Sequence, residues 1–151
     1  MADLVGDGGY VVGVEHIQPL RDLGDRNMRK SEEGRRLVES GKARFVVADG
    51  RQGYDDPSPD LAAQVADKMG QEKWDVKGWD IIHVGAGAVK LHEALIEQLR
   101  RPGRMFIPVD EERGYGQSIW VVEKGADGRV ERKRLYAVQY VPLTDPHNDP
   151  Y

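Results

Sequence analysis

Cysteine is absent from the 151-residue chain, which excludes both a disulfide framework and a thiolate metal site. Nothing then argues for an oxidising compartment, and a cytosolic setting is expected. Long apolar runs are also missing: no window approaches the roughly 20 apolar residues that cross a bilayer. The opening MADLVGDGGYVVGVEH carries no basic leader, so no membrane partner is expected. A positive excess is the third absence. With 22 Lys and Arg against 26 Asp and Glu, and a formal charge of -4, the chain lacks the electrostatic footprint of a sequence-independent nucleic-acid binder. What is there, 39% hydrophobic and 32% charged residues, suits one soluble domain with a modest core.

Tyr10 to Val14 is a short valine-rich run, the pattern of a strand buried on both faces of a parallel sheet. It ends in Glu15-His16, and from Ile17 the residues Ile17, Leu20, Leu23 and Met28 recur at roughly helical spacing, with Pro19 tolerated in the first turn. Arg44 to Ala48 is a second such strand and also ends in a carboxylate and a glycine, Asp49-Gly50. The stretch from Tyr54 to Gly78 is polar, with a short helix expected over Asp60 to Met69. A third buried strand, Trp79 to Val84, runs into Gly85-Ala86-Gly87. The spacing of Leu91, Leu95 and Leu99 predicts a helix there, with Arg100 and Arg101 at its C-terminal dipole end and Pro102-Gly103 stopping it. Arg104 to Val109 is the next strand. Ser118 to Glu123 and Val130 to Val141 flank a Gly125-Ala126-Asp127-Gly128 turn, a hairpin signature. The fold class is α/β: a doubly wound, mostly parallel Rossmann-like sheet closed by a C-terminal antiparallel hairpin.

Ligands of open α/β sheets bind at the carboxyl ends of the parallel strands, where Glu15 and Asp49 both fall. A carboxylate closing such a strand can accept hydrogen bonds from ribose hydroxyls; Asp49 is placed to accept from an adenine amino group, and Gly50 to let backbone approach the ring. The plain alternative, that both acids are solvated strand ends or helix caps, stays open. Gly6, Gly8 and Gly9 read as a turn into the first strand, since no strand precedes them. His16, His83, His92 and His147 share no metal-ligand spacing. No metal is assigned, and His83 reads as a satisfied core histidine. Ser31, Ser40, Ser58 and Ser118 lie in no nucleophile elbow. Arg129, Arg132, Lys133 and Arg134 alternate as on a solvated edge strand.

Five segments, GYVVGVEHI, RFVVADGRQGY, WDIIHVGAGA, LRRPGRMFIPV and YVPLTD, occur in the order found in protein-L-isoaspartate O-methyltransferases, which the chain resembles from about Gly8 to Asp145 outside Asp56 to Gly78. The resemblance implies an S-adenosylmethionine cofactor whose ribose meets Glu15, with His16 beside it, while Asp49 and Gly50 line the adenine side. Thr144, in YVPLTD, touches the cofactor or substrate region on the resemblance alone. The implied reaction methylates the carboxylate of isoaspartyl residues in damaged proteins, after which the ester collapses to a succinimide that can reopen as aspartate. Such a carboxylate is already ionised at neutral pH, so alignment rather than a strong base is what catalysis needs.

The family's glycine-rich cofactor loop and its serine or threonine catalytic segment have no counterpart in this sequence, so the catalytic residue is unknown. Residues 1–145 are expected to form a partial, N-terminally truncated methyltransferase domain, monomeric, and 146–151 a flexible tail. The alternative is a catalytically dead fragment or binding module of the same fold. A generic small-molecule methyltransferase would keep Glu15 and Asp49 but has no reason to end in YVPLTD.

Overall fold

The computed structural model describes residues 1–6, 8–55, 78–112 and 116–143. These divide between two compact units, one built on Met1–Gly50 and one on Arg51–Asp55 with the chain from 78 onward. The helix expected over Asp60 to Met69 lies outside the described residues.

In the first unit, strand β1 (Val11–Glu15) and strand β2 (Ala43–Val47) pair in parallel, Val11 opposite Ala43 and Glu15 opposite Val47. Branched side chains favour the extended backbone of both. Helix α1 (Gln18–Met28) follows β1 with a proline in its first turn, as the spacing predicts. Helix α2 (Glu32–Glu39), absent from the sequence expectation, has a local signature: Ser31 is its N-cap and accepts from Gly34 N at 2.9 Å, with Glu32 and Glu33 in the first turn. A Cβ at Gly34 would lie 1.9 Å from the Met28 carbonyl, so a glycine permits the tight α1–α2 corner. Phe45 of β2 packs between Gly13 of β1 and Gly24 of α1, within 3.2 and 3.4 Å of where their Cβ atoms would be. Burial on both faces is not found: β1 is half-buried or exposed throughout, and Val14 is 36% and Val47 43% exposed. Among the described residues this sheet has two strands.

The second unit is a four-stranded sheet in the order β3 (Trp79–His83), β4 (Leu99–Asp110), β5 (Gln117–Lys124), β6 (Val130–Val138). The first pair is parallel and the other two antiparallel. The hairpin turn is where the glycines place it: Gly125 N donates to Arg129 O at 2.8 Å, and Gly128 takes a positive φ of 83°. Met105, Ile107, Val109 and Val122 form the core with Ala88, Leu95, Ile96 and Leu99.

Three expectations are corrected here. Helix α3 spans Glu93–Glu97 only; Leu99, Arg100 and Arg101 already belong to β4, and Pro102-Gly103 sit within that strand where its register against β3 shifts. The leucine spacing marked burial, since Leu95 and Leu99 are 3% exposed, and the helix is ended by a distant lysine. Lys124 of β5, 9% exposed, donates to the carbonyls of Ile96, Glu97 and Leu99 at 2.8, 3.1 and 2.9 Å. The first two are carbonyls of the last helical turn, which a helix C-terminus leaves without partners, and the third opens β4. His83 is no core histidine: it is exposed and stacks on Phe106, ring centroids 5.7 Å apart. The same solvent-facing side of β3 leaves Ile81 63% exposed. Strand β6 ends at Val138 rather than Val141 and is exposed along almost its whole length.

Candidate functional site

Strand polarity in the first unit brings Glu15, His16, Asp49 and Gly50 to one end. Glu15 closes β1 opposite Val47, and its carbonyl accepts from Ala48 N at 3.1 Å, so the chain leaving β2 stays tied to the end of β1 as it reaches Asp49. Gly50 then opens a single 3-10 turn, Gly50–Gln52. One oxygen of Glu15, Oε1, accepts from Ile17 N at 3.0 Å and lies 3.0 Å from His16 Nδ1. Glu15 is not a helix cap, since α1 has Ile17 at its N-cap and no side-chain cap hydrogen bond; Oε1 holds the Ile17 amide that leads into the helix, while Oε2 makes no hydrogen bond among the described residues. Asp49 is half-buried and engaged within the chain. A Cβ at Gly50 would meet nothing within 4 Å, which leaves open space next to Asp49 along the chain. At the far side of the same strands Arg44 lies over the Tyr10 ring, 5.2 Å from its centroid.

The second unit gathers a different set at the carboxyl ends of β3 and β4. The turn after β3 forms two short bridges, Gly87 with Pro142 and Ala88 with Val109. Gly87 N donates to Val141 O at 2.7 Å and Gly87 O accepts from Leu143 N at 2.8 Å; on the other side Ala88 N donates to Pro108 O and Asp110 N to Ala88 O, each at 2.9 Å. The segment Tyr140 to Leu143, the start of YVPLTD, is thus laid along the Gly85-Ala86-Gly87 turn. Thr144 lies outside the described residues.

Beside this turn, Ser118 donates to Glu111, and Arg134 donates to both, through Nε to Ser118 Oγ at 3.0 Å and a terminal nitrogen to Glu111 Oε1 at 2.6 Å. The Ser118 hydroxyl, with Arg134 behind it, holds the Glu111 carboxyl below the usual glutamate range, against the opposing pull of partial burial. Ser118 is fully buried; its hydroxyl pins the β4–β5 connection to β6 rather than serving as a nucleophile. A glutamine-centred clasp holds the chain just after Gly50. Gln98 Oε1 accepts from Tyr54 N and its Nε2 donates to Gln52 O, both at 2.9 Å, and Trp79 Nε1 donates to Tyr54 O at 2.9 Å. Sequence reasoning passed over Gln98 and Gln117 and weighed Ser118 only as a nucleophile, and the one local trace of the Gln98 clasp is Gly53, whose φ is 71°. Among the described residues no group of three or more His, Asp or Glu is arranged to hold a metal ion, and no helix is long and apolar enough to cross a membrane.

A parallel strand pair with Glu15 at its carboxyl end, and a mixed sheet with a backbone-lined turn at its strand ends, place the chain in the α/β class, whose open sheets commonly bind ligands at the strand ends. The particular family follows from its likeness to known chains. The model of the protein-L-isoaspartate(D-aspartate) O-methyltransferase (PCMT) family matches residues 1–148, and the chain belongs to that family. It is 36% identical over 143 residues to a protein-L-isoaspartate O-methyltransferase of Triticum aestivum, covering 95% of this chain and 52% of that protein. To the Caenorhabditis elegans protein of the same name it is 35% identical over 144 residues, covering 95% and 54%. The chain spans about half the length of these curated relatives. In fold it resembles a Plasmodium falciparum chain described as a beta-aspartate methyltransferase in complex with S-adenosyl-L-homocysteine, with TM-score 0.65 and 22% identity, over 89% of this chain and 52% of that one. A second solved protein-L-isoaspartate O-methyltransferase gives 0.69 and 20%, over 96% and 37%.

Proposed function

We propose that this chain is part of a protein-L-isoaspartate O-methyltransferase that uses S-adenosylmethionine to methylate isoaspartyl carboxylates in damaged proteins. Its strongest support is the placement of Glu15 at the carboxyl end of one parallel strand pair and of Asp49 just beyond it, with open space at Gly50. When bound, the cofactor supplies an activated methyl group, which passes from sulfonium sulfur to a carboxylate oxygen with no proton transferred. The residues present fit its nucleoside half. Glu15 has Oε2 left to accept from ribose hydroxyls while Oε1, held by Ile17 N and His16, fixes the carboxylate's orientation. His16 sits as a half-buried support to that orientation. Asp49 and Gly50 offer an acceptor and an unobstructed backbone for the adenine edge. Thr144 belongs to the same proposal on the family's motif. The acceptor carboxylate, with an ordinary pKa near 4, is ionised at neutral pH, so the protein's task is alignment and exclusion of water.

The test is a calorimetric titration of S-adenosylhomocysteine, with circular dichroism to establish folding, beside methyl transfer to an isoaspartyl peptide and to its aspartyl twin. Binding together with transfer to the isoaspartyl peptide alone is the expected result. Glu15→Ala should weaken cofactor binding by about 1–3 kcal/mol through loss of charged hydrogen bonds. A folded protein with unchanged affinity would remove Glu15 from the site. Binding without transfer would favour the alternative, a binding module of the same fold.

A further inference from the structure

The geometry points to Gln117 as a positioning residue for the acceptor side of the reaction: its amide sets the Tyr140-to-Leu143 segment against the turn after β3, forming an edge for an extended polypeptide. This role rests on the methyltransferase reading above.

Gln117 begins β5 and pairs with Asp110, the last residue of β4, and with Val138, the last residue of β6. From there its side chain serves two partners. Oε1 accepts from Tyr140 N at 2.6 Å, and Nε2 donates to Asp110 Oδ1 at 3.1 Å. It reaches them by passing over Gly87, where a Cβ would stand 2.0 Å from Nε2. A glycine at 87 is therefore a condition of the clip, independent of any left-handed backbone. One amide thus ties the end of β4 to the chain leaving β6 while crossing over the turn, and the turn's own bonds to Val141 and Leu143 complete the seating.

The chemistry of the clip is specific to a carboxamide. A hydrocarbon would strip Tyr140 N of its acceptor, and a carboxylate would repel Asp110. What the clip holds is a surface feature: Val141 is 71% exposed, and Val89, two residues beyond Gly87, is 72% exposed. A backbone segment with exposed apolar side chains at the carboxyl ends of parallel strands suits a polypeptide acceptor, which brings flanking residues as well as the reacting carboxylate. None of Glu15, His16, Asp49 and Gly50, assigned to the nucleoside, belongs to this turn.

The experiment measures KM for an isoaspartyl peptide and Kd for S-adenosylhomocysteine in Gln117→Leu, in Gln117→Glu and in Gln117→Glu combined with Asp110→Asn. The first two should raise peptide KM about tenfold, the scale of one lost hydrogen bond, with Kd changed less than about twofold. The double variant keeps an acceptor for Tyr140 N and restores the other bond with donor and acceptor exchanged, since the carboxamide introduced at position 110 can donate to the carboxylate at 117. Peptide KM should then return towards the starting value. Peptide KM unmoved in the folded single variants, KM and Kd rising together, or no recovery in the double variant would each overturn the positioning role. Failure of the unaltered protein to methylate the peptide at all would overturn the methyltransferase reading, and the acceptor role with it.

Discussion

Lys124→Met removes one charge and keeps nearly the same length of chain, which makes it a sharp probe of how α3 ends. In the native fold the ammonium donates to three carbonyls at 2.8, 3.1 and 2.9 Å while the residue is 9% exposed. Hydrogen bonds from a charged donor contribute about 1.5–3 kcal/mol each, but taking an ammonium out of water costs several kcal/mol, so the bonds largely offset that cost. Methionine escapes the desolvation cost and leaves the carbonyls of Ile96, Glu97 and Leu99 without this donor, a penalty of about 1–3 kcal/mol for each that water cannot reach. The expected net loss is about 2–4 kcal/mol. For a chain of this size each kcal/mol corresponds to about 2–4 °C in Tm, so a fall of about 4–16 °C is expected. Urea unfolding followed by circular dichroism gives the free energy directly, with equal slopes for the two proteins as the check that only stability has changed. A loss under about 0.5 kcal/mol would refute the reasoning, because it would mean that the helix end finds water or another donor without Lys124.

Gly53→Ala combines a positive φ of 71° with a Cβ 2.1 Å from Gln98 Oε1, whereas Gly41→Ala has φ 74° and nothing within 4 Å. The left-handed backbone alone costs about 1–2 kcal/mol, so the urea midpoint should fall in both and further at Gly53; equal shifts would mean the Gln98 clasp yields without cost. Glu111 has its pKa depressed in the folded state, chiefly by the Ser118 hydroxyl. Its contribution is therefore complete above the ordinary glutamate pKa of about 4.3 and is lost as pH falls through the lower folded value. Carboxyl NMR should find its midpoint below the ordinary value, and Ser118→Ala should raise it; an unmoved midpoint would take Ser118 out of the explanation.

Local chemistry was enough for most elements. Valine-rich runs gave β1 and β2, the apolar run around Ile81-Ile82 gave β3, Pro19 and the spacing after it gave α1, and the glycine-flanked turn gave the β5–β6 hairpin, because each signal lies within a few residues of its effect. The same holds for the candidate acids: Glu15 and Asp49 are legible as strand ends without knowledge of the fold. Helix α2 was legible too, in Ser31 and the two glutamates behind it, and was overlooked because its single apolar pair, Leu37-Val38, shows no repeat.

Other features depended on partners far away in the chain. Burial of β3 was misjudged because an apolar run is the same whether one face or both are covered, and only the assembled sheet leaves Ile81 and His83 on the open side. The length of α3 is set from β5 by Lys124, and the setting of Tyr140 to Leu143 by Gln117 acting across Gly87. The sequence by itself determined which segments are strands, where the first parallel pair presents its carboxylates, and the family to which the chain belongs. Tertiary structure decided where α3 stops, which strand faces meet solvent, and which amides clasp which loops, because those outcomes rest on packing and on hydrogen bonds mostly between residues some 20 to 50 positions apart, whose pairing no local pattern encodes.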